Sequence, residues 1–335
     1  MEKRTVVALL FSAAFAWGLG LSGPGVCSAH AQSSDYPHRQ PVKVVIPFPA
    51  GGPTDGMARI VSDRLGQVLG QSVIVENRGG GAGGSVGARA VASADPDGYT
   101  LMLTPGGSLT SGPAVHRNIG YDPAKVFAPV CQLIEAADVI EVNPGLPVTT
   151  LAELIGYAKA NPGKMSWGSQ GFGVAPHLLL ELFNLEAGVS IAHVPYRGTA
   201  PMLTAIVAGE VQVVIDPMTT SLPHLEAGAV RPIAIAGPTR APQLPNVPTT
   251  GEQGFPDIDS PFWLGVVVPA GTPPDIIARL NAAFRDSLAA PEVRTRIAAL
   301  GADIKIGTPE EFGAMLAKER ALWVRVAKQA HISAE

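Results

Sequence analysis

The sequence predicts a two-lobed α/β protein whose lobes face each other across a cleft. Three observations carry that expectation. β-branched runs alternate with amphipathic segments along most of the chain, the pattern of βα units. The first three strands end in glycine-rich or polar turns, at the same end of what should be a parallel sheet, where ligands bind in such folds. Finally, the strand, glycine turn and helix of Val42 to Arg59 recur at Met165 to Phe183, so each half presents a glycine turn of its own. The 38 glycines and 31 prolines of this 335-residue chain, without collagen-like periodicity, punctuate a folded protein with many turns.

The N-terminus reads as an export signal. Met1-Glu-Lys-Arg4 is followed by an apolar run from Thr5 to Leu21 and by Ala29-His30-Ala31, a small-x-small pattern that places cleavage after Ala31. A membrane anchor is the competing reading, and Cys27 admits a lipoprotein one, although Val26 stands where a small residue is expected. Cleavage leaves 304 residues, enough for two domains that each bury a core. Loss of Glu2, Lys3 and Arg4 moves the net charge from −4 to −5, and no basic stripe suggests nucleic acid. Cys131 alone remains, so neither an internal disulfide nor a cysteine metal site is available, and it reads as a small buried apolar residue.

The opening unit comes first. Val42, Val44, Val45 and Ile46 form a strand, Pro47 to Gly52 a turn, and Met57, Ile60, Val61 and Leu65 the apolar stripe of a helix capped by Thr54 or Asp55. Unpartnered amides of that first turn make an anion cradle. Ser72 to Glu76 is the second strand, running into a loop with six glycines between Gly79 and Gly87. Each glycine costs entropy on ordering, so the loop serves close backbone approach rather than stability. A helix from Ala88 to Ser93 and a third strand, Tyr99 to Thr104, lead into Pro105-Gly-Gly-Ser108.

Strands at Pro129 to Leu133 and Val139 to Val142 precede a helix from Leu151 to Ala160, capped by Thr150. Next come the strand at Met165 to Ser169, a helix at Pro176 to Phe183, a strand at Ser190 to Val194 and a helix at Ala200 to Ala208. Val211 to Ile215 is a strand ending at Asp216, Leu222 to Ala227 a helix, and Ile233 to Ala236 a strand before a proline-rich connection. Phe262 to Pro269 is the last strand. Helices at Pro273 to Leu288, Pro291 to Leu300 and Pro309 to Gln329 follow, the last with a capping box at Thr308-Pro-Glu-Glu311. The chain should cross between lobes twice, near Leu133 to Val139 and near Ser260 to Leu264.

Several motifs invite a catalytic reading. Gly79, Gly81 and Gly84 satisfy G-x-G-x-x-G, but the loop starts late after its strand and no acidic residue follows at the dinucleotide-binding distance. Gly83-Gly-Ser-Val-Gly87 satisfies G-x-S-x-G, yet Ser85 lies nine residues beyond Glu76 rather than on a tight elbow. Asp216 and His224 follow Ser85 in the order a hydrolase needs, and Ser169, His177 and Asp216 could form another triad; each has an ordinary polar role available. The histidines at 116, 177, 193, 224 and 331 show no metal-ligand spacing. Trp167 and Trp263 read as core or as pocket walls.

Longer motifs carry a family resemblance. Tyr36-Pro-His-Arg-Gln-Pro-Val-Lys-Val-Val-Ile-Pro-Phe-Pro-Ala-Gly-Gly-Pro-Thr-Asp55, Val75-Glu-Asn-Arg-Gly-Gly-Gly-Ala-Gly-Gly84, Pro96-Asp-Gly-Tyr-Thr-Leu101, His193-Val-Pro-Tyr-Arg-Gly198 and Pro245-Asn-Val-Pro-Thr249 occur in order, together with Ser166-Trp-Gly-Ser169 and Pro269-Ala-Gly-Thr-Pro-Pro274. With these the chain resembles the solute receptors of tripartite tricarboxylate transporters, the Bug-type extracytoplasmic binding proteins. The resemblance implies a type II-like periplasmic binding protein: two Rossmann-like α/β domains joined by a two-crossing hinge, with lobe 1 at 32–135 plus 262–335 and lobe 2 at 136–261. It implies a periplasmic monomer, not an enzyme, with no cofactor, metal or nucleic acid. Such a receptor closes on a small carboxylate (a di- or tricarboxylate, an amino acid or an aromatic acid) and hands it to membrane subunits.

The site residues carried over are Phe48, Ala50, Gly51, Gly52, Thr54, Asp55, Ala82 and Gly83, with Thr104 at the third strand end and Ser169 and Asp216 across the cleft. Asp216 meets a ligand amino or hydroxyl group, or caps the next helix. Ser108-Leu-Thr-Ser-Gly-Pro113 stands where many relatives have His and Asn, and Gln170 and Phe172 replace smaller or polar residues, which makes the far side of the pocket more apolar. An exported serine hydrolase using Ser85 or Ser169, and a sensor whose closed form docks on a membrane signalling protein, are the competing readings.

Overall fold

The protein folds around two sheets, each flanked by helices on both faces. In this computed structural model residues 35–116 and 118–333 are described. The export signal and its cleavage site lie outside them. The first sheet has the order β11-β4-β10-β3-β1-β2, comprising β1 (Val42–Ile46), β2 (Val73–Asn77), β3 (Thr100–Thr104), β4 (Phe127–Ala136), β10 (Phe262–Pro269) and β11 (Ala302–Ile304). The second has the order β7-β6-β8-β5-β9, comprising β5 (Asp138–Val142), β6 (Ser166–Ser169), β7 (Ala192–Pro195), β8 (Val213–Pro217) and β9 (Arg231–Ala236).

The sheets are mixed rather than parallel. β1 pairs in parallel with β2 and β3, as βα crossovers require, but β10 runs antiparallel to β3 and β4, and β5 antiparallel to β8 and β9. The reason is connectivity. Only Ala137 separates β4 from β5, so no crossover helix can turn the chain, and β5 enters the second sheet against its neighbours. The long return before β10 likewise brings that strand in from the opposite end.

Helices α1 (Pro53–Leu69), α9 (Pro274–Ala289) and α10 (Pro291–Ala299) cover one face of the first sheet, where Val44, Ile46, Leu65, Leu101 and Phe284 share a core. On its other face α2 (Ser85–Ala92) and the start of α11 (Pro309–Gln329) pack Val91, Phe312 and Leu316 against Val45, Met102 and Val267. Each such aliphatic side chain withdrawn from water contributes about 1.5–3 kcal/mol.

In the second sheet Ile140, Trp167 and Ile215 pack under α5 (Leu151–Ala160) and α6 (Ala175–Ala187). The opposite face takes α7 (Thr199–Ala208) through Met202 and Ile206, and α8 (Met218–Glu226) through Met218. Helix α11 serves both sheets, because Trp323, Val326 and Ala327 near its end belong to the second sheet's core. Short helices α3 (Ser111–Val115) and α4 (Pro123–Val126) complete the set, and Val115 also packs into the second core. Cys131 is buried in the first.

Candidate functional site

Between the sheets lies a cleft holding about 880 Å³ of empty space, partly open to solvent. Its walls are mainly helix starts. From the first sheet's side, Phe48, Pro49 and Ala50 lead into Gly52, Pro53 and Thr54 at the beginning of α1, joined by Pro105, Gly106 and Gly107 after β3. From the second, Val174 and Ala175 open α6, Gly198 and Thr199 open α7, and Pro217 caps α8.

None of these four helices has a side chain capping its first turn. Pro53 at the first position of α1 has no amide to satisfy, and the amides of Thr54 and Asp55 have no partner among the described residues. Those of Thr199 and Ala200 in α7 are equally unspent. Helix starts carry partial positive charge, so the arrangement is a preorganised receptor for an anion that requires no counter-ion.

The cap of α1 differs from the expected one. Gly52 holds the cap position in extended conformation (φ −88°, ψ 175°), and Thr54 and Asp55 lie inside the first turn. The Asp55 side chain turns back to accept from the Gly51 amide at 3.0 Å and from Arg59 Nε at 3.1 Å. Burial opposes its ionisation, but these hydrogen bonds outweigh that cost and hold the carboxyl below the usual range. The pair tightens the turn and uses up the Gly51 amide.

Of the residues named from the sequence, Phe48, Ala50, Gly52 and Thr54 line the cleft. Gly51 is exposed beside it, next to Thr199 and Ala200, and the others are not among its lining. The turn Ala82–Gly84 underlies Gly106–Ser108, with the Ser108 hydroxyl donating to the Gly83 carbonyl at 2.7 Å. A Cβ on Gly83 would sit 2.3 Å from the Gly107 oxygen, at a φ of +55° that favours glycine. The close backbone approach expected of this loop is therefore to its neighbouring turn. Thr104 is fully buried, its hydroxyl 3.0 Å from the Pro105 carbonyl and 3.3 Å from Ser108 Oγ.

Across the cleft, Ser169 is fully buried, donates to the Gly171 carbonyl at 2.7 Å and lies 2.6 Å from His193 Nε2. His193 stacks on His177 with ring centroids 3.9 Å apart, and burial first and His177 second depress its pKa to about 4. Asp216 sits inside β8 rather than at its end. Its oxygens accept from Gln170 Nε2 at 3.0 Å, Thr220 Oγ1 at 2.5 Å and Ser221 Oγ at 3.2 Å.

Burial raises the Asp216 pKa to about 7 despite those bonds. Ser169 thus meets His193 and not His177, and Asp216 bonds to neither, so the triad of Ser169, His177 and Asp216 is not assembled. Ser85 is buried at the start of α2, three residues before the expected helix.

Gln170 lines the cleft and connects it to Asp216, but Phe172 does not belong to the lining; it packs on His116, His177 and His193. Trp263 is a wall of the cleft and Trp167 is core. Sequence reasoning missed Asp138, Arg197 and Glu319, the charged side chains that line it. Glu319, on α11, accepts from the indole nitrogens of Trp263 and Trp323, both at 3.1 Å. Burial holds its carboxyl above the ordinary value, against the pull of those bonds. Among the described residues no cluster of His, Cys, Asp and Glu is arranged to hold a metal, and no helix is long and apolar enough to cross a membrane.

Two sheets, two chain crossings and a cleft walled by helix starts define a two-lobed periplasmic binding protein fold, which solved relatives share. Residues 57–331 match the family described as "Tripartite tricarboxylate transporter family receptor", and the chain belongs to that family. It is 35% identical over 313 residues to Protein BugT of Bordetella pertussis, covering 93% of this chain and 95% of that one. Among solved structures, Rpa4515 of R. palustris with adipate shares 38% identity at a TM-score of 0.84, covering 89% of this chain and 99% of that one. MatC (Rpa3494) from Rhodopseudomonas palustris with bound malate shares 34% at 0.82, with 86% and 99% covered.

Proposed function

We propose that this protein is a periplasmic receptor that captures a small carboxylate in the interlobe cleft and delivers it to the membrane subunits of a tripartite transporter. The observation that carries the reading is the convergence of uncapped helix starts from both sheets on one cleft. A carboxylate gripped by fixed neutral dipoles needs no reorganisation of the site. Because donors come from both sides, the solute favours the closed form, and that population is what a permease can read. The relatives solved with adipate and malate support the acid class.

The export signal, cleaved after Ala31, supplies the route to the periplasm. Lobe 1 comprises residues 32–135 with 262–335 and lobe 2 residues 136–261, with α11 also bracing the second core and the unit acting as a monomer. Phe48, Ala50, Gly52 and Thr54 touch the solute. Gly51 stands at the edge of the lobe 1 wall, Asp55, Ala82, Gly83 and Thr104 shape that wall from behind, and Ser169 and Asp216 hold the opposite turn.

Capture requires no reaction. The proximity of Ser169 to His193 is the observation on the side of a hydrolase, but the serine is fully buried, outside the cleft lining, and no carboxylate among the described residues bonds to His193. The test is a panel of mono-, di- and tricarboxylates, amino acids and sugars applied to the mature protein. At least one acid should raise the melting temperature and reduce the radius of gyration, with ester hydrolysis unchanged in Ser169→Ala. Binding confined to neutral sugars, or esterase activity lost in Ser169→Ala, would refute it.

A further inference from the structure

The back wall of the cleft, beside the chain crossings, carries a carboxyl group that the protein itself leaves unsatisfied. Asp138 opens β5, pairs across the ladder with Pro217 and lines the cleft with Ser260, Pro261 and Phe262. It is only 3% exposed, and its Oδ1 has no hydrogen-bond partner among the described residues. Such a group costs about 1–3 kcal/mol unless something satisfies it. Asp55 and Asp216, equally enclosed, have partners; Asp138 Oδ1 has none among the described residues, and the residue lines the cleft.

Its surroundings accept rather than donate. Gln170 spends its amide hydrogens on the Ile215 carbonyl and Asp216, both at 3.0 Å, so its own carbonyl oxygen is what remains for a guest. Glu319 brings a second carboxyl to the same cleft, and Asp216 and Glu141 lie close to Asp138. Arg197 is exposed at the mouth, on the α7 side. The cleft is therefore polarised, with bare amides at the starts of α1 and α7 and acceptor oxygens at the back.

We propose that Asp138 is an ammonium-recognition subsite, so that the solute is an amino-substituted carboxylate: its acid group rests on the helix starts and its ammonium group meets Asp138. This rests on the receptor reading above. A plain dicarboxylate would turn its second anion toward Asp138, the Gln170 carbonyl and Glu319. An ammonium supplies the missing donors and the opposite charge. Burial, then the nearby Asp216, holds the Asp138 carboxyl well above its ordinary range, and the opposite charge of an ammonium is what returns it to the ionised, accepting form.

The experiment pairs each common amino acid with the acid that lacks its amino group, glutamate against glutarate being one such pair. Thermal shift screens the pairs, and calorimetry measures affinity for the mature protein and for Asp138→Asn. At least one amino acid should bind about tenfold or more tightly than its partner, and Asp138→Asn should erase that preference by weakening binding of the amino acid.

Plain acids binding as well as or better than their amino counterparts would overturn the subsite, as would a preference that survives Asp138→Asn. Binding of neither class would instead defeat the carboxylate reading on which it rests. The wild-type comparison needs no variant, and Asp138→Ser serves if Asp138→Asn fails to fold.

Discussion

The two walls of the cleft are built from different chemistry. The α1 wall, with the Gly106-Gly107 turn, presents backbone and apolar surface; its carboxyls are already partnered, Asp55 turned inward onto Gly51 and Arg59 and Glu319, beside Gly106, held by the indoles of Trp263 and Trp323. The opposite wall presents Asp138, Gln170 and Arg197 beside its own helix starts, with Asp216 and the fully buried Glu141 close to Asp138. Neither Glu141 oxygen has a hydrogen-bond partner among the described residues, and burial first, then Asp216, raises its pKa. Both sides offer helix-start dipoles whose charge never changes; the second adds unpartnered groups whose charge depends on their surroundings. The dipoles suit a feature common to all candidate solutes, and the added groups suit discrimination among them.

The sharpest way to break this contrast uses two glycines of the first wall. Gly83→Val forces a β-branched residue to a φ of +55° with its Cβ 2.3 Å from the Gly107 oxygen. Strain and overpacking together should cost about 3 kcal/mol or more, lowering the melting temperature by more than about 5 °C. At Gly52 a Cβ meets nothing nearer than the Pro49 oxygen at 3.9 Å, and the backbone is extended. Gly52→Val should lose about 1 kcal/mol of stability as a poor cap, while carboxylate affinity falls at least about tenfold because the valine fills the anion's place. Equal loss of stability in both, or unchanged affinity in Gly52→Val, would show that the cap of α1 is not the anchor.

Next comes the titratable wall. The folded Asp216 carboxyl has its pKa raised from 3.8 to about 7, so between those values the native state holds a proton that the unfolded chain releases. Its contribution is therefore favourable below about pH 4 and is lost as pH rises toward 7, at up to about 1.4 kcal/mol per pH unit. In Asp216→Asn the carbonyl can still face Gln170, and the hydroxyls of Thr220 and Ser221 rotate to accept from the new amide. Denaturant unfolding of both proteins from pH 4 to 7 should show the stability of the wild type relative to the variant falling across that window. A flat difference would mean that Asp216 is ionised throughout, and the two walls would no longer differ in kind.

The contrast also explains what could be read in advance. β1, α5, β10 and α11 lie within the bounds that the sequence suggests, because each has strong local punctuation: the Pro47 break, the Thr150 cap, the Pro269 stop and the Thr308 capping box. The strand, turn and helix around α1 were legible for the same reason, although Gly52 and not Thr54 or Asp55 holds its cap. The charged residues of the cleft were not. Asp138 and Glu319 are 181 positions apart and meet the same cleft only because β5 follows β4 without a helix and α11 reaches across both cores. β11, three residues held by pairing to β4, has no local signature either. Ser85 to Gly87 read as loop because their glycine-rich neighbourhood hides that α2 has already begun.

Arg197 separates the walls most finely, because it is the one cation among the described residues that line the cleft, and it stands exposed with no ion pair there. An exposed guanidinium acts on a passing anion mainly through a field that salt screens, whereas uncapped amides act at contact. Arg197→Gln should therefore slow association of the carboxylate two- to fivefold at low ionic strength, shrink toward no effect in about 0.5 M salt, and leave dissociation unchanged, as stopped-flow fluorescence from Trp263 would read. A loss of a hundredfold or more, carried by faster dissociation and insensitive to salt, would make Arg197 a direct partner of the solute. The division between a neutral gripping wall and a titratable selecting wall would then have to be abandoned.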